Sequence, residues 1–168
     1  MTSPIRVLDA STTGRWADVA TLIFEYMGAT QAELGRPAPA TVDELPTAMR
    51  DECRNPDVAY RSPGAFLLAC RDEILVGGVG LKPLPGTDAV QVSRLYARPA
   101  HRGGAGRILM EHAHRQAELR GFTRLVLDVM PQRHQVIDLY RRLGYTETEP
   151  HGHYRTPMLS MERLIASG

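Results

Sequence analysis

Val90 to Arg107 reads VQVSRLYARPAHRGGAGR, and the organisation of the whole chain turns on this stretch. Its first half, Val90 to Ala97, alternates as a strand does, and Pro99 closes it. A basic loop dense in glycine follows. At Gly103, Gly104 and Gly106 no Cβ stands in the way, so backbone N–H groups can converge on one point. An amphipathic helix begins next and aims its positive dipole end at the same point. His101, Arg102 and Arg107 add donors around it. Strand, turn and helix together read as a place to hold phosphate oxygens.

Moving back from this stretch, Ala65–Cys70 and Ile74–Leu81 are apolar runs joined by Arg71-Asp72-Glu73, which predicts a hairpin. Pro83, Pro85 and Gly86 mark the turn that follows it. Near the start, Ile5 to Leu8 reads as a strand. Trp16, Val19, Ala20, Ile23, Tyr26 and Met27 share one helical face, with Gly28 as the expected stop. Residues 29–40 read as a loop, and a second helix is expected from Thr41 or Asp43 to about Arg54. Pro46 fits that helix only in its first turn. Asn55, Pro56, Ser62, Pro63 and Gly64 mark a further break.

Moving forward, the helix after the glycine loop carries Ile108, Leu109, Ala113 and Ala117 on one side, and an expected Glu111–Arg115 pair on the other. Gly121 ends it. Leu125 to Met130 is an apolar strand interrupted by Asp128. Residues 134–143 predict a helix that buries Val136, Ile137 and Tyr140, with Arg141 and Arg142 at its solvated C-terminal end and Gly144 as its cap. Strands are expected at Tyr145–Glu149 and Met158–Glu162. The order is strand, two helices, three strands, helix, strand, helix, two strands. It predicts an α/β domain with a mixed sheet and helices on both faces.

The chain has 168 residues, which suits a single domain over 1–168. Lys and Arg number 20 against 19 Asp and Glu, so charge gives no reason to expect nucleic acid as a partner. No apolar run is long enough for a membrane span, and the first ten residues lack the apolar block of a signal peptide. Cys53 and Cys70 form neither a metal spacing nor a disulfide framework. They read as reduced, buried thiols of a cytoplasmic protein.

Three segments resemble the GNAT superfamily of acyl-CoA-dependent N-acetyltransferases. They are Arg94-Leu95-Tyr96-Ala97-Arg98-Pro99 leading into the glycine loop, Leu127-Asp128-Val129-Met130-Pro131, and Val136 to Tyr145, reading VIDLYRRLGY. The likeness covers roughly residues 64–163. It implies a mostly antiparallel central sheet of about six to seven strands, and acetyl-CoA as co-substrate with no metal. The family's loop usually reads Arg/Gln-x-x-Gly-x-Gly/Ala. Counted to Gly104 and Gly106, its first position here is His101, so His101 and Arg102 are the two candidates to face the pyrophosphate. The backbone from Gly103 through Gly104, Ala105 and Gly106 to Arg107 is the firmer assignment.

The resemblance further implies that Leu95, Tyr96 and Ala97 border the pantetheine arm, whose amides pair with strand backbone as an added peptide would. It implies too that this strand and the one at 125–130 splay apart. The acetyl group would pass directly to the amine of a small molecule or amino-acid-like acceptor, with Tyr140 protonating the departing thiolate. Many relatives carry a glutamate where Gln91 stands, and an amide cannot accept the amine's proton. Asp128 is the nearest titratable strand residue and the candidate base. Glu25, His134, Tyr154 and a water chain are further options.

Other readings stand beside these. Asp128 also reads as a structural carboxylate paired with a neighbouring Arg, and Tyr140 as a core tyrosine with its hydroxyl bonded. His151-Gly152-His153 lacks a third metal ligand and reads as a solvated loop. Arg94 and Tyr96 fit either the slot or pairing within the sheet. A non-catalytic acyl-CoA sensor is the alternative function. A Rossmann-type dinucleotide enzyme would need the glycine loop after its first strand. A homodimer is left open.

Overall fold

The central strands are buried nearly throughout because the sheet is covered on both faces. In β2 (Ala65–Arg71), Phe66, Leu68 and Cys70 enter one apolar cluster, while Leu67 and Ala69 enter the other. The computed structural model describes residues 3–101, 103–152, 154 and 156–166. Its other strands are β1 (Ile5–Asp9), β3 (Ile74–Pro83), β4 (Ala89–Ala97), β5 (Arg124–Val129), β6 (Thr146–Glu147) and β7 (Leu159–Leu164). They form one seven-stranded sheet in the order β1-β2-β3-β4-β5-β7-β6. All neighbouring pairs are antiparallel except β4 with β5.

The helices are α1 (Ala10–Thr13), α2 (Trp16–Glu33), α3 (Thr47–Arg54), α4 (Pro56–Ala59), α5 (Ala105–Leu119) and α6 (His134–Arg142). Leu109, Met110, Ala113 and Ala117 of α5 and Ile137 and Tyr140 of α6 bury one face of the sheet. Val19, Leu22, Ile23 and Met27 of α2 and Cys53 of α3 bury the other. Cys53 and Cys70 are free and buried. Among the described residues no helix is long and apolar enough to cross a membrane.

Several expected boundaries move. α2 runs through Gly28 to Glu33, because the residues beyond it, Ala29, Gln31, Ala32 and Glu33, are good helix formers that outweigh one interior glycine. Gly35, at φ +67°, marks the true end. The second helix does not start at 41–43. Leu45 is extended (ψ 152°) ahead of Pro46, so only a 3-10 turn forms at Val42–Glu44 and α3 begins after the proline. Pro56 opens the short α4 where only a break was expected. Glu111 faces Arg107 at 3.8 Å rather than Arg115. β6 shrinks to two residues, because Tyr145 turns inward to be fully buried against His114.

Candidate active site

β4 and β5 pair for only three residues, Ala89–Arg124, Val90–Leu125 and Gln91–Val126. Beyond Gln91 they part. The cause lies on the other edge of β4, where Gly80 faces Ser93 and Gly78 faces Tyr96, so Arg94 and Leu95 together oppose the single residue Val79. Such a bulge bends its strand. Arg94 takes a left-handed backbone at φ +57°, a region that a bulky non-glycine residue keeps only when its surroundings hold it. The opening between the strands is a cleft of about 1000 Å³, lined by Val92 to Ala97 of β4 and Leu127 to Val129 of β5.

What holds Arg94 is Glu52, an almost fully buried carboxylate on α3. Arg94 Nη2 donates to Oε2 at 2.8 Å and Nε to Oε1 at 3.3 Å. Lys82 Nζ lies 3.1 Å from Oε2, and the Tyr60 hydroxyl donates to Oε1. Burial alone would raise the Glu52 pKa. The hydrogen bonds and charge of Arg94, the Tyr60 hydrogen bond and the Lys82 charge outweigh it, and the carboxyl sits below its ordinary value. Gly80 makes room for this cluster, since a Cβ there would lie 2.5 Å from the Tyr60 ring.

One wall of the cleft ends at the N-terminus of α5. Gly104, at φ +92°, is its N-cap and offers no side chain to cap it. The first helical bond runs from Ile108 N–H to Gly104 O at 3.0 Å. Among the described residues, the N–H groups of Ala105, Gly106 and Arg107 therefore have no partner. Gly103, Gly104, Gly106, Arg107 and Arg142 all line the cleft. These donors, with the dipole of a 15-residue helix behind them, can hold an anion.

Further along the cleft stand Tyr140 and Asp128. Tyr140 is 6% exposed, and burial pushes its hydroxyl above the ordinary value, so it carries its proton at neutral pH. Among the described residues its hydroxyl has no hydrogen-bond partner. Asp128 lies on the opposite face of β5 from the α5 core. Ser160 Oγ donates to its Oδ1 at 2.6 Å, Gln91 Nε2 to its Oδ2 at 3.4 Å, and the Tyr154 hydroxyl also to Oδ2. His151 Nε2 lies 3.6 Å from Oδ1. Partial burial and the Asp128 carboxylate both push the Tyr154 hydroxyl up, so it stays a donor.

A model of the acetyltransferase (GNAT) family matches residues 30–145. An uncharacterized N-acetyltransferase of Schizosaccharomyces pombe is 32% identical over 120 residues, which are 70% of this chain and 74% of the relative. The chain belongs to the acetyltransferase (GNAT) family. Solved structures share its fold. An acetyltransferase from Streptococcus agalactiae aligns with a TM-score of 0.74 at 16% identity, over 96% of this chain and 98% of its own. The PaiA N-acetyltransferase from Thermoplasma acidophilum, in complex with coenzyme A, aligns with a TM-score of 0.64 at 17% identity, over 96% and 99%.

In this acetyltransferase the cleft brings together Leu95, Tyr96, Ala97, Gly103, Gly104, Gly106, Arg107, Asp128 and Tyr140. His101 lies on a 3-10 turn and is not among the lining residues, and Ala105 is buried with only its N–H directed outward along the helix end. Arg102 and His153 fall outside the described residues. Two of the expected alternatives for the base stand outside the cleft lining. Glu25 is held by Arg98 through two bonds of 3.0 and 2.7 Å, and His134 is exposed outside the cleft lining. Among the described residues, Asp128 pairs with no arginine. Hydroxyls and an amide satisfy it instead. His151 is not solvated either; its side chain is 9% exposed against Asp128. Glu52, Tyr60, Lys82 and Ser160 gave no sequence signal, because each meets its partner only through packing of distant segments.

Proposed function

We propose that this acetyltransferase moves the acetyl group of acetyl-CoA directly to the amine of a small acceptor, with both substrates in the cleft at once. The observation that carries this reading is the parting of β4 from β5 beside the uncapped N-terminus of α5. The diphosphate of coenzyme A would take the N–H groups of Gly103 to Arg107, with His101 or Arg102 adding charge. The pantetheine arm would run along Leu95, Tyr96 and Ala97, which line the cleft beyond the three-residue pairing of β4 with β5. That leaves the thioester between Tyr140 and Asp128.

The neutral amine attacks the thioester carbonyl, so a C–N bond forms and the C–S bond breaks. Asp128 receives the proton that the ammonium must lose before attack. Tyr140 gives its proton to the departing thiolate. Holding the two reactants together supplies much of the rate. Two free, buried thiols suit a reducing compartment, and we place the reaction in the cytoplasm.

Two measurements test the reading. Calorimetry with coenzyme A should give saturable heat, and thiol release from acetyl-CoA should rise with at least one member of a panel of small amines and amino acids. Heat without thiol release across the panel overturns the small-amine acceptor; no heat overturns the donor site.

A further inference from the structure

The face of the sheet opposite α5 carries several charges at the cleft, and most neutralise one another. Arg94 is spent on Glu52, and Arg133 on Glu33 at 2.7 Å. Asp128 differs. Its side chain is 6% exposed, and its partners among the described residues are uncharged donors: Gln91 from β4, Ser160 from β7, and Tyr154 from the segment between β6 and β7. A buried carboxylate with no lysine or arginine among its described partners has an electrostatic need that an ammonium meets.

Tyr154 and His151 flank this carboxylate from two sides. The Tyr154 ring is 43% exposed and lines the cleft, while its hydroxyl donates to Oδ2. With its proton committed to Asp128, the phenol turns a lone pair to any amine in the cleft. The His151 ring, outside the cleft lining, points Nε2 at Oδ1. Nε2 is buried and has no hydrogen bond among the described residues. A carboxylate oxygen only accepts, so the neutral ring facing it is the tautomer with hydrogen on Nε2.

We propose that Tyr154 and Asp128 form a two-step relay for the acceptor's proton, with His151 as the positioning residue that keeps Asp128 turned toward Tyr154. The proposal rests on the acetyltransferase reading above. The ammonium gives its proton to the Tyr154 oxygen as the phenolic proton moves to Asp128 Oδ2. The products are a neutral amine, an intact phenol and a carboxylic acid, so charge and protons balance. Asp128 returns its proton to solvent by the same route after the amide leaves.

The test is a pH profile of thiol release with acetyl-CoA and the best amine of the panel, with coenzyme A calorimetry on each variant. Tyr154→Phe should lower kcat about 100-fold at pH 7, with the deficit shrinking as pH approaches about 10 and the amine loses its proton unaided. His151→Ala should lower kcat about 10-fold, and His151→Gln, which keeps a donor, should restore it. Coenzyme A affinity should not change in any of the three. The relay is overturned if the Tyr154→Phe deficit is the same at every pH, or if His151→Ala keeps the wild-type kcat. A wild-type chain that neither binds coenzyme A nor releases thiol refutes the acetyltransferase reading instead.

Discussion

Arg94 and Glu52 stand 42 positions apart in the chain and meet through two hydrogen bonds, one of 2.8 Å and one of 3.3 Å. The contact joins α3 to the bulge at which β4 turns away from β5. Removing one partner of a buried ion pair leaves the other charge uncompensated, at a cost of about 3–5 kcal/mol. Glu52→Ala should therefore lower unfolding free energy by about that amount in urea titration. It should also weaken coenzyme A binding, since Arg94 then loses the carboxylate that holds its left-handed backbone. Wild-type affinity in a folded Glu52→Ala protein would show that the bulge is held by other contacts.

The same carboxylate has a pH signature. Its folded pKa lies below the unfolded value of about 4.3. Its contribution is thus complete above about pH 4.3 and is lost as pH falls through the lower folded value.

His114 acts in a different window. Arg163 can only donate, so Nδ1 of His114 accepts from it and Nε2–H faces the Tyr145 hydroxyl at 3.0 Å. Burial first, and then the Arg163 charge, push the imidazole down to about 4. The unfolded chain, at about 6.5, binds the proton first. Stability should fall as pH drops from about 6.5 to about 4. Urea midpoints across this range should show a shallower fall in His114→Gln than in the wild type.

Gly104 tests the anion cradle. A Cβ there would meet no atom within 4 Å, yet the backbone sits at φ +92°. The cost of Gly104→Val is therefore backbone strain, about 1–2 kcal/mol, rather than a clash inside the protein. The new side chain would stand among the donors at the head of α5. Calorimetry should show weaker coenzyme A binding, and thermal melts a lower midpoint; unchanged affinity would move the diphosphate elsewhere.

Tyr140→Phe removes one hydroxyl that has no hydrogen-bond partner among the described residues. Little stability should change. Turnover should fall by about 100-fold while coenzyme A affinity stays, the pattern of a group used only in the chemical step. A wild-type kcat would take Tyr140 out of the mechanism.

Much of this molecule is legible in local pattern. The apolar run of β2, the alternation of β4, the apolar face of α5 and the glycines after Ala97 follow from backbone geometry and from which residues leave water, and both act over a few neighbouring positions. Helix limits at Gly28 and Pro46 were harder, because neighbouring residues decided whether one breaker prevailed. The parting of β4 and β5 came from a bulge that no alternation announces. Packing alone brought Glu52 beneath Arg94 and His151 against Asp128. A charge selects its partner by distance through the fold, and distance along the chain carries no information about it.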